Sequence, residues 1–370
     1  MSRPSARNPR PRAIVEAPEE SDCFEGAPHP RETFDLFGHR DAEKTLLDAF
    51  REGRLAQTWI IGGREGIGKA TLAWRFARFL LANPDPQSPA VQTADDLAVD
   101  ASHPVARRIA ALAHGDLVVL RREWNNENKR HYTEIRVDDA RTIMARFQQA
   151  AAEGGWRIAI IDCAEDLNRS TANALLKLIE EPPPRSLFLF VAHRPAQILA
   201  TVRSRSHLLM LSPLQPEDVA KAVAGLGGEW SEMSPGDIAT AAARSGGSVR
   251  DALRLLGSDG LNLIAQIDKL LEGLPDVDWK KVQQLAESLQ KRDATADFEA
   301  AQAAICDWID ARVRGIAVQS GVSASQLAPY AEVWEKFARS ARETDTYNLD
   351  RRALILSIFT DLAAAARRAA

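Results

Sequence analysis

The sequence predicts an α/β domain built on a parallel sheet, followed by an all-helical region. Three observations carry this. Short apolar runs alternate with helix-spaced segments from Thr33 to Leu211. One of those runs opens directly into a glycine-rich loop and then a helix. Beyond Pro213 every apolar pattern has helical spacing.

The chain has 370 residues, 45% of them hydrophobic, which is enough for two or three domains with a sizeable core. No apolar run approaches membrane-spanning length, and no signal peptide is visible. Cys23, Cys163 and Cys306 lie far apart, in neither a disulfide framework nor a zinc spacing, which fits a cytoplasmic protein. A net charge of −4 excludes a strongly basic nucleic-acid binder, so any DNA contact would be a local patch.

Residues 1–30 are rich in Pro and Arg and read as a disordered basic arm, more simply a solvated tail than a contact for nucleic acid or lipid. Residues 31–212 form the α/β domain. Asp41–Arg51 is a helix that ends near Gly53. Thr58–Ile61 is a buried strand, and Leu72, Ala73, Phe76, Ala77 and Leu80 mark the next helix. Asn83-Pro84-Asp85-Pro86 ends that helix; a polar insertion runs to about Ser102, before a short helix over Val105–Ala113. Asp116–Leu120 is a strand and Trp124–His131 an exposed polar loop. Asp138–Ala152 is a helix stopped by Gly154-Gly155. Arg157–Ile161 and Leu187–Val191 are buried strands; the helix Ser170–Glu181 between them is halted by Pro182-Pro183-Pro184. His207–Leu211 is a last buried strand.

Residues 213–258 read as a small helical lid with short helices at 216–226, 235–244 and 248–256. Residues 259–370 carry longer amphipathic helices, roughly 261–273, 277–290, 294–319, 325–341 and 350–369, with no internal repeat.

The stretch Gly62-Gly63-Arg64-Glu65-Gly66-Ile67-Gly68-Lys69-Ala70-Thr71 sits between strand and helix, the context a phosphate-binding loop requires. Glycines Gly63, Gly66 and Gly68 let backbone N–H groups converge on an anion, and the helix N-terminus adds its partial positive charge. Lys69 would reach the terminal phosphates. The position after it calls for Ser or Thr, whose hydroxyl binds Mg2+, but Ala70 stands there. Thr71 comes one residue late, about 100° further round the helix.

Ile158-Ala159-Ile160-Ile161-Asp162 ends a strand in a carboxylate, the group that orders Mg2+ in phosphate-loop enzymes. Cys163 follows where a Glu base is common, and Glu165 lies one turn on. Arg203 and Arg205 precede the last strand, as a solvated pair or as groups that protrude toward a neighbour. Arg250 lies on the first turn of a helix capped by Ser248, where a cation opposes the helix dipole. That suggests a ligand; a surface ion pair with Glu or Asp is the plain alternative. His39 could pack near an adenine or serve as a local cap, and His193 follows a strand where it could sense a phosphate. No histidine makes a metal-ligand spacing with a cysteine.

Several pieces together resemble one family, the bacterial clamp-loader ATPases of the AAA+ class. They are Leu36-Phe37-Gly38-His39, the Gly63–Lys69 loop, Ala172-Asn173-Ala174-Leu175-Leu176-Lys177-Leu178-Ile179-Glu180-Glu181-Pro182-Pro183 and Arg203-Ser204-Arg205. The helix at 172–183 is the most specific of them. The resemblance covers roughly residues 31–256, and the C-terminal third agrees in size and class with the family's helical collar, an oligomerisation domain. It implies an AAA+ phosphate-loop domain, a lid and a collar, and a hetero-pentameric ring with other clamp-loader subunits (gamma/tau and delta). Such a ring uses ATP to place the sliding clamp on primed DNA. It implies that Arg205 matches the arginine completing a neighbour's ATP site, that Arg250 matches a lid arginine contacting phosphate, and that Gly63, Gly66, Gly68, Lys69, Ala70, Thr71 and Asp162 line the chain's own nucleotide site. Ser206 replaces a Cys of the family motif. Many relatives carry a four-Cys zinc module; residues 83–134 contain no Cys, so no zinc is expected.

Ala70 and Cys163 depart from the family at the two positions that serve hydrolysis, whereas Arg205 is retained. The expectation is a polymerase-holoenzyme subunit with no ATPase or polymerase activity of its own, binding ATP or ADP with Mg2+ weakly or not at all. The competing expectations are an active ATPase motor and a DNA-binding module with a vestigial nucleotide site; the acidic balance speaks against the latter.

Overall fold

In the computed structural model the described residues are 20–21, 23–148, 155–257, 259–291, 294–317, 324–347 and 349–369. Their contacts divide the chain into two units: one ends at Ser212, and the other comprises Pro213–Ala370 together with Glu65–Ile67. The α/β-then-helical class that the sequence predicts is observed. Among the described residues no helix is long and apolar enough to cross a membrane.

The first unit is built on a five-stranded parallel sheet. Its strands are β1 (Thr58–Gly62), β2 (Leu117–Leu120), β5 (Arg157–Ile161), β6 (Ser186–Ala192) and β7 (His207–Met210), in the spatial order β2-β5-β6-β1-β7. β1 and β6 are buried at every position, as continuous apolar runs in a sheet covered on both faces should be. Thr58 pairs with Phe188 and Gly62 with Ala192, so β1 and β6 end together. The chain leaves β1 for the far edge at β2, works back through β5 and β6, and finally places β7 on the other side of β1. This reversal beside β1 is the kind of switch point where ligands of parallel α/β sheets bind.

Helix α1 (Arg40–Arg51) buries Leu46, Leu47 and Phe50. Helix α2 (Lys69–Ala82) is buried on nearly every side, including Arg75 and Arg78. Arg75 Nε donates to Glu43 Oε1 at 2.6 Å, and the Arg78 guanidinium lies 4.2 Å over the Phe34 ring. Burial, with Arg75 beside it, pushes Arg78 down to about 10. α5 (Val137–Gln148) and α6 (Arg169–Glu180) cover one sheet face through a core that includes Ile143, Phe147, Leu175, Ile179, Phe188 and Phe190. Asn168 caps α6 by accepting from the Thr171 N–H at 2.9 Å.

The structure differs from the sequence reading at several points. Residues 124–131 are a small antiparallel hairpin, β3 (Trp124–Asn125) and β4 (Arg130–His131), with the Trp124 and His131 rings 5.0 Å apart, rather than an open loop. The insertion after α2 is anchored: it contains α3 (Pro89–Gln92), Val91 and Leu97 are fully buried, and the Arg51 guanidinium donates to the Val91 and Ala94 carbonyls. Part of the basic arm is also tied down. His29 is buried, and Glu20 pairs with Arg31 and, at 2.6 Å, with Arg121. The rest of the arm lies outside the described residues, as do Gly154 and the end of the helix expected at 138–152. The strand β7 is exposed, not buried, at His207, Leu208 and Met210.

The second unit is wholly helical among its described residues. It begins with α8 (Pro216–Gly225), α9 (Gly228–Ser231), α10 (Pro235–Arg244) and α11 (Val249–Gly257). The longer helices follow: α12 (Gly260–Glu272), α13 (Trp279–Leu289), α14 (Thr295–Ala317), α15 (Ala324–Tyr347) and α16 (Arg351–Ala369). α15 runs six residues past its predicted end and accommodates Pro329. α10 is capped by Ser234, and Arg244 near its C-terminus pairs with Asp268 at 2.5 Å.

Candidate functional site

Three groups meet at the C-terminal ends of the central strands: the glycine loop after β1, His193 after β6 and Asp162 after β5. The order β5-β6-β1 sets His193 between the other two. The loop has the backbone that its sequence implies. Gly63, Gly66 and Gly68 have φ of 145°, 76° and 94°, a region closed to most side chains. Gly68 is the N-cap of α2. A Cβ there would lie 3.9 Å from the His39 ring, so His39 packs beside the loop; it makes no side-chain cap bond to α1.

Lys69 is 3% exposed, and its Nζ donates to the Arg64 carbonyl at 2.5 Å. A lysine folded onto its own loop is positioned to transfer that bond to a phosphate oxygen. Ala70 and Thr71 form the first turn of α2. Asp162 is buried, and its Oδ1 accepts the Cys163 N–H at 2.9 Å. Curled backbone, buried lysine and helix N-terminus therefore fit a phosphate chain. The donor set for Mg2+ is incomplete, because the position directly after Lys69 is Ala70, which has no hydroxyl.

Cys163 stands at the strand tip with φ 55°. Its Sγ lies 3.4 Å from His193 Nε2. Burial, and then the carboxylates of Asp162, Asp166 and Glu165, push its thiol well above the ordinary thiol range. A protonated, half-buried thiol does not take a proton from water at neutral pH.

Glu165 does not substitute for it. One carboxylate oxygen accepts the backbone N–H groups of His193 at 2.9 Å and Arg194 at 3.1 Å. The other is buried without a hydrogen-bond partner. Glu165 thus serves as a cap for the turn that follows β6. Sequence reading places it near the site but gives no sign of this role, because its partners are backbone amides 28 and 29 residues away.

The residues placed elsewhere in the sequence reading have clear settings. Arg250 Nε pairs with Glu65 at 3.1 Å, the surface ion pair named as its plain alternative. The Val249 N–H donates to the Gly66 carbonyl at 2.8 Å, and Ser248 Oγ would lie 2.3 Å from a Cβ on Gly66. Arg205 follows the short helix α7 (Ala200–Arg203) and precedes β7. Its side chain is exposed; its guanidinium donates to the Thr201 carbonyl at 3.0 Å and pairs with Glu180 at 3.0 Å. Since β7 is parallel to β1, with His207 beside Trp59 and Met210 beside Gly62, Arg205 lies at the end of the strands opposite the glycine loop. Five residues of strand, about 16 Å at about 3.3 Å each, separate those ends.

A parallel-sheet domain with a phosphate-type loop and a carboxylate at the tip of a nearby strand, followed in the chain by a helical region, is the architecture implied by the resemblance to AAA+ clamp loaders. The family described as "DNA polymerase III, delta subunit" matches residues 38–215. The chain is 33% identical over 150 residues to DNA polymerase III subunit delta-prime of Pseudomonas aeruginosa, covering 40% of this chain and 41% of that protein. It is 29% identical over 241 residues to the Escherichia coli delta-prime subunit, covering 65% and 66% of the two chains. It is 25% identical over 309 residues to the Escherichia coli tau subunit, covering 82% of this chain and 45% of that one. The matched part thus spans about two-fifths of the Pseudomonas protein. These matches bear out the resemblance: over residues 38–215 the chain is similar to DNA polymerase III clamp-loader subunits, delta-prime among them.

Proposed function

We propose that this chain is the stator of a clamp-loader ring. It turns over little or no ATP itself and supplies Arg205 in trans to nucleotide held by the adjoining subunit. Its partners are gamma/tau-type and delta-type subunits in a hetero-pentamer. Through that complex it helps place the sliding clamp on primed DNA during chromosomal replication. ATP or ADP with Mg2+ is held weakly or not at all at its own loop.

The observation that carries this reading is the position of Arg205, exposed and at the opposite end of the strands from the chain's own glycine loop. A guanidinium there is remote from its own loop and open to a neighbour. The losses support the same reading: Ala70 lacks the hydroxyl, Cys163 is a half-buried thiol held protonated, and Glu165 is held by two amides. An arginine supplied in trans is worth about 10³–10⁵ in rate where measured in GTPases. Replacing Arg205 by Ala is expected to lower ATPase of the reconstituted complex while leaving the melting curve of this chain unchanged. An unaltered complex rate would remove the role.

The second reading is an active motor of gamma/tau type. It is favoured by the retained Lys69 and glycine loop, and by the alignment with tau over 82% of the chain. ATP turnover by the isolated chain, abolished in Lys69→Ala, would establish it in place of the stator.

A further inference from the structure

The tip of the glycine loop keeps different company from its two ends. Arg64 and Gly68 belong with the sheet, whereas Glu65, Gly66 and Ile67 belong with the helical unit. The contacts that hold the tip come from the start of α11. The Gly66 carbonyl accepts the Val249 N–H at 2.8 Å. Ser248 is fully buried and accepts the Asp251 N–H at 3.1 Å; its hydroxyl would lie 2.3 Å from a Cβ on Gly66. The Glu65 carboxylate pairs with Arg250 Nε at 3.1 Å.

This last contact joins two residues that are each out of place alone. Glu65 lies inside the loop, between Gly63 and Gly66. A loop that gathers N–H groups for a phosphate gains nothing from a carboxylate, because like charges repel. Arg250 lies on the first turn of α11, where a cation faces the positive end of the helix dipole. The carboxylate offsets both the guanidinium and the dipole. Asp251, the acid on the same turn, pairs with Arg254 at 3.5 Å.

Lys69 is met in a similar way, by the Arg64 carbonyl. Two successive loop residues, Arg64 and Glu65, therefore supply oxygens to two cations. Lysine and arginine are the side chains that phosphate groups recruit. A neutral carbonyl gives up Lys69 without separating opposite charges. Glu65 cannot give up Arg250 so cheaply, because a bare carboxylate would then stand in the loop that receives the phosphates.

We propose that Glu65 is an internal anion that takes the place of phosphate on Arg250, so that a nucleoside polyphosphate binds this loop only in competition with it. This rests on the reading that nucleotide is held weakly or not at all, and gives that weakness a cause besides the missing hydroxyl at Ala70.

The experiment titrates the full chain with a fluorescent ATP analogue in Mg2+. The proteins are wild type, Glu65→Gln, Glu65→Ala, Arg250→Gln and the double variant Glu65→Gln/Arg250→Gln. Glu65→Gln is expected to tighten binding about fivefold, the scale of one exposed ion pair. Glu65→Ala should do the same, which assigns the gain to the lost charge and gives a second readout if either variant folds poorly. In the Arg250→Gln background the gain should shrink to about twofold or less, because the cation competed for is gone. Equal gains in the two backgrounds would mean plain charge repulsion and overturn the competition. No gain in either Glu65 variant overturns it too, and a loss would show that Glu65 positions Arg250 for the ligand. A wild type that already binds at about 1 μM or tighter removes the weak-binding reading instead; the competition then stands or falls on the gain alone.

Discussion

Arg205 and Glu180 form an ion pair of 3.0 Å at the surface, each close to half exposed. The pair joins the segment before β7 to the C-terminal end of α6. A pair this exposed is worth about 0–1 kcal/mol, which makes it a latch that an incoming anion can open. Glu180→Gln is therefore expected to leave the fold intact and to raise ATPase of the assembled complex by at most about fivefold. A steady-state phosphate-release assay reads this directly, and a fall in rate would show that Glu180 positions the arginine instead of restraining it.

Restoring the missing hydroxyl separates binding from turnover. Ala70→Thr should tighten Mg2+-dependent nucleotide binding about tenfold, the scale of one hydrogen bond to a charged group. It should not yield turnover, because Cys163 and the restrained Glu165 still leave the site without a base. Titration with a fluorescent nucleotide, in Mg2+ and in EDTA, measures the first expectation; the isolated variant's ATPase measures the second.

Glu165 acts on the fold. Glu165→Ala removes the acceptor for two backbone N–H groups and should cost about 1–3 kcal/mol. Glu165→Gln keeps one acceptor oxygen and should cost less. Urea unfolding of the first unit's signal in the full chain gives the order of the two variants; equal stabilities would contradict the capping role.

Gly66 cannot be replaced without strain. At φ 76° a Cβ would meet Ser248 Oγ at 2.3 Å and Arg250 Cβ at 2.6 Å. Gly66→Ala is expected to destabilise by about 1–3 kcal/mol and to weaken the Val249-to-Gly66 hydrogen bond. Hydrogen exchange at the Val249 amide reports it, and should accelerate.

Glu20 gives a pH dependence. Burial opposes its ionisation, but the Arg121 and Arg31 guanidiniums outweigh it and hold its carboxyl below the ordinary value of 4.5. A carboxyl that titrates lower folded than unfolded stabilises above about pH 4.5, and that contribution is lost as pH falls through the lowered folded value. Exchange protection of residues 23–33 should accordingly drop in acid. At pH 7 Glu20→Gln should already show reduced protection, and the gap from wild type should close as pH is lowered.

Local signals made much of this protein readable. The glycine loop and the carboxylate at the end of β5 are set by residues adjacent in sequence, and each forms where the spacing predicts. The misreadings share one cause, a dependence on distant partners. An apolar run such as Leu208-Leu209-Met210 looks buried from composition, but burial needs cover from elsewhere in the chain, and Leu208 and Met210 are left exposed. Glu165 looks like a spare acid until its amide partners after β6 are seen. Arg250 reads as a ligand cation or as half of an ion pair, and its partner here, Glu65, lies 185 residues earlier. The polar insertion after α2 hides its anchors, since Val91 and Leu97 are isolated apolar residues whose cover comes from elsewhere in the chain.

The placement of Arg205 and the glycine loop at opposite ends of one sheet gives the molecule a polarity. Under the trans reading, one end donates and the other receives, so copies of such a domain can only stack head to tail. A member whose receiving end is chemically silent still passes a guanidinium forward, yet answers nothing from behind. Under the proposed function, a closed circle that includes it has one junction, at a fixed position, where the donated and received chemistry do not match.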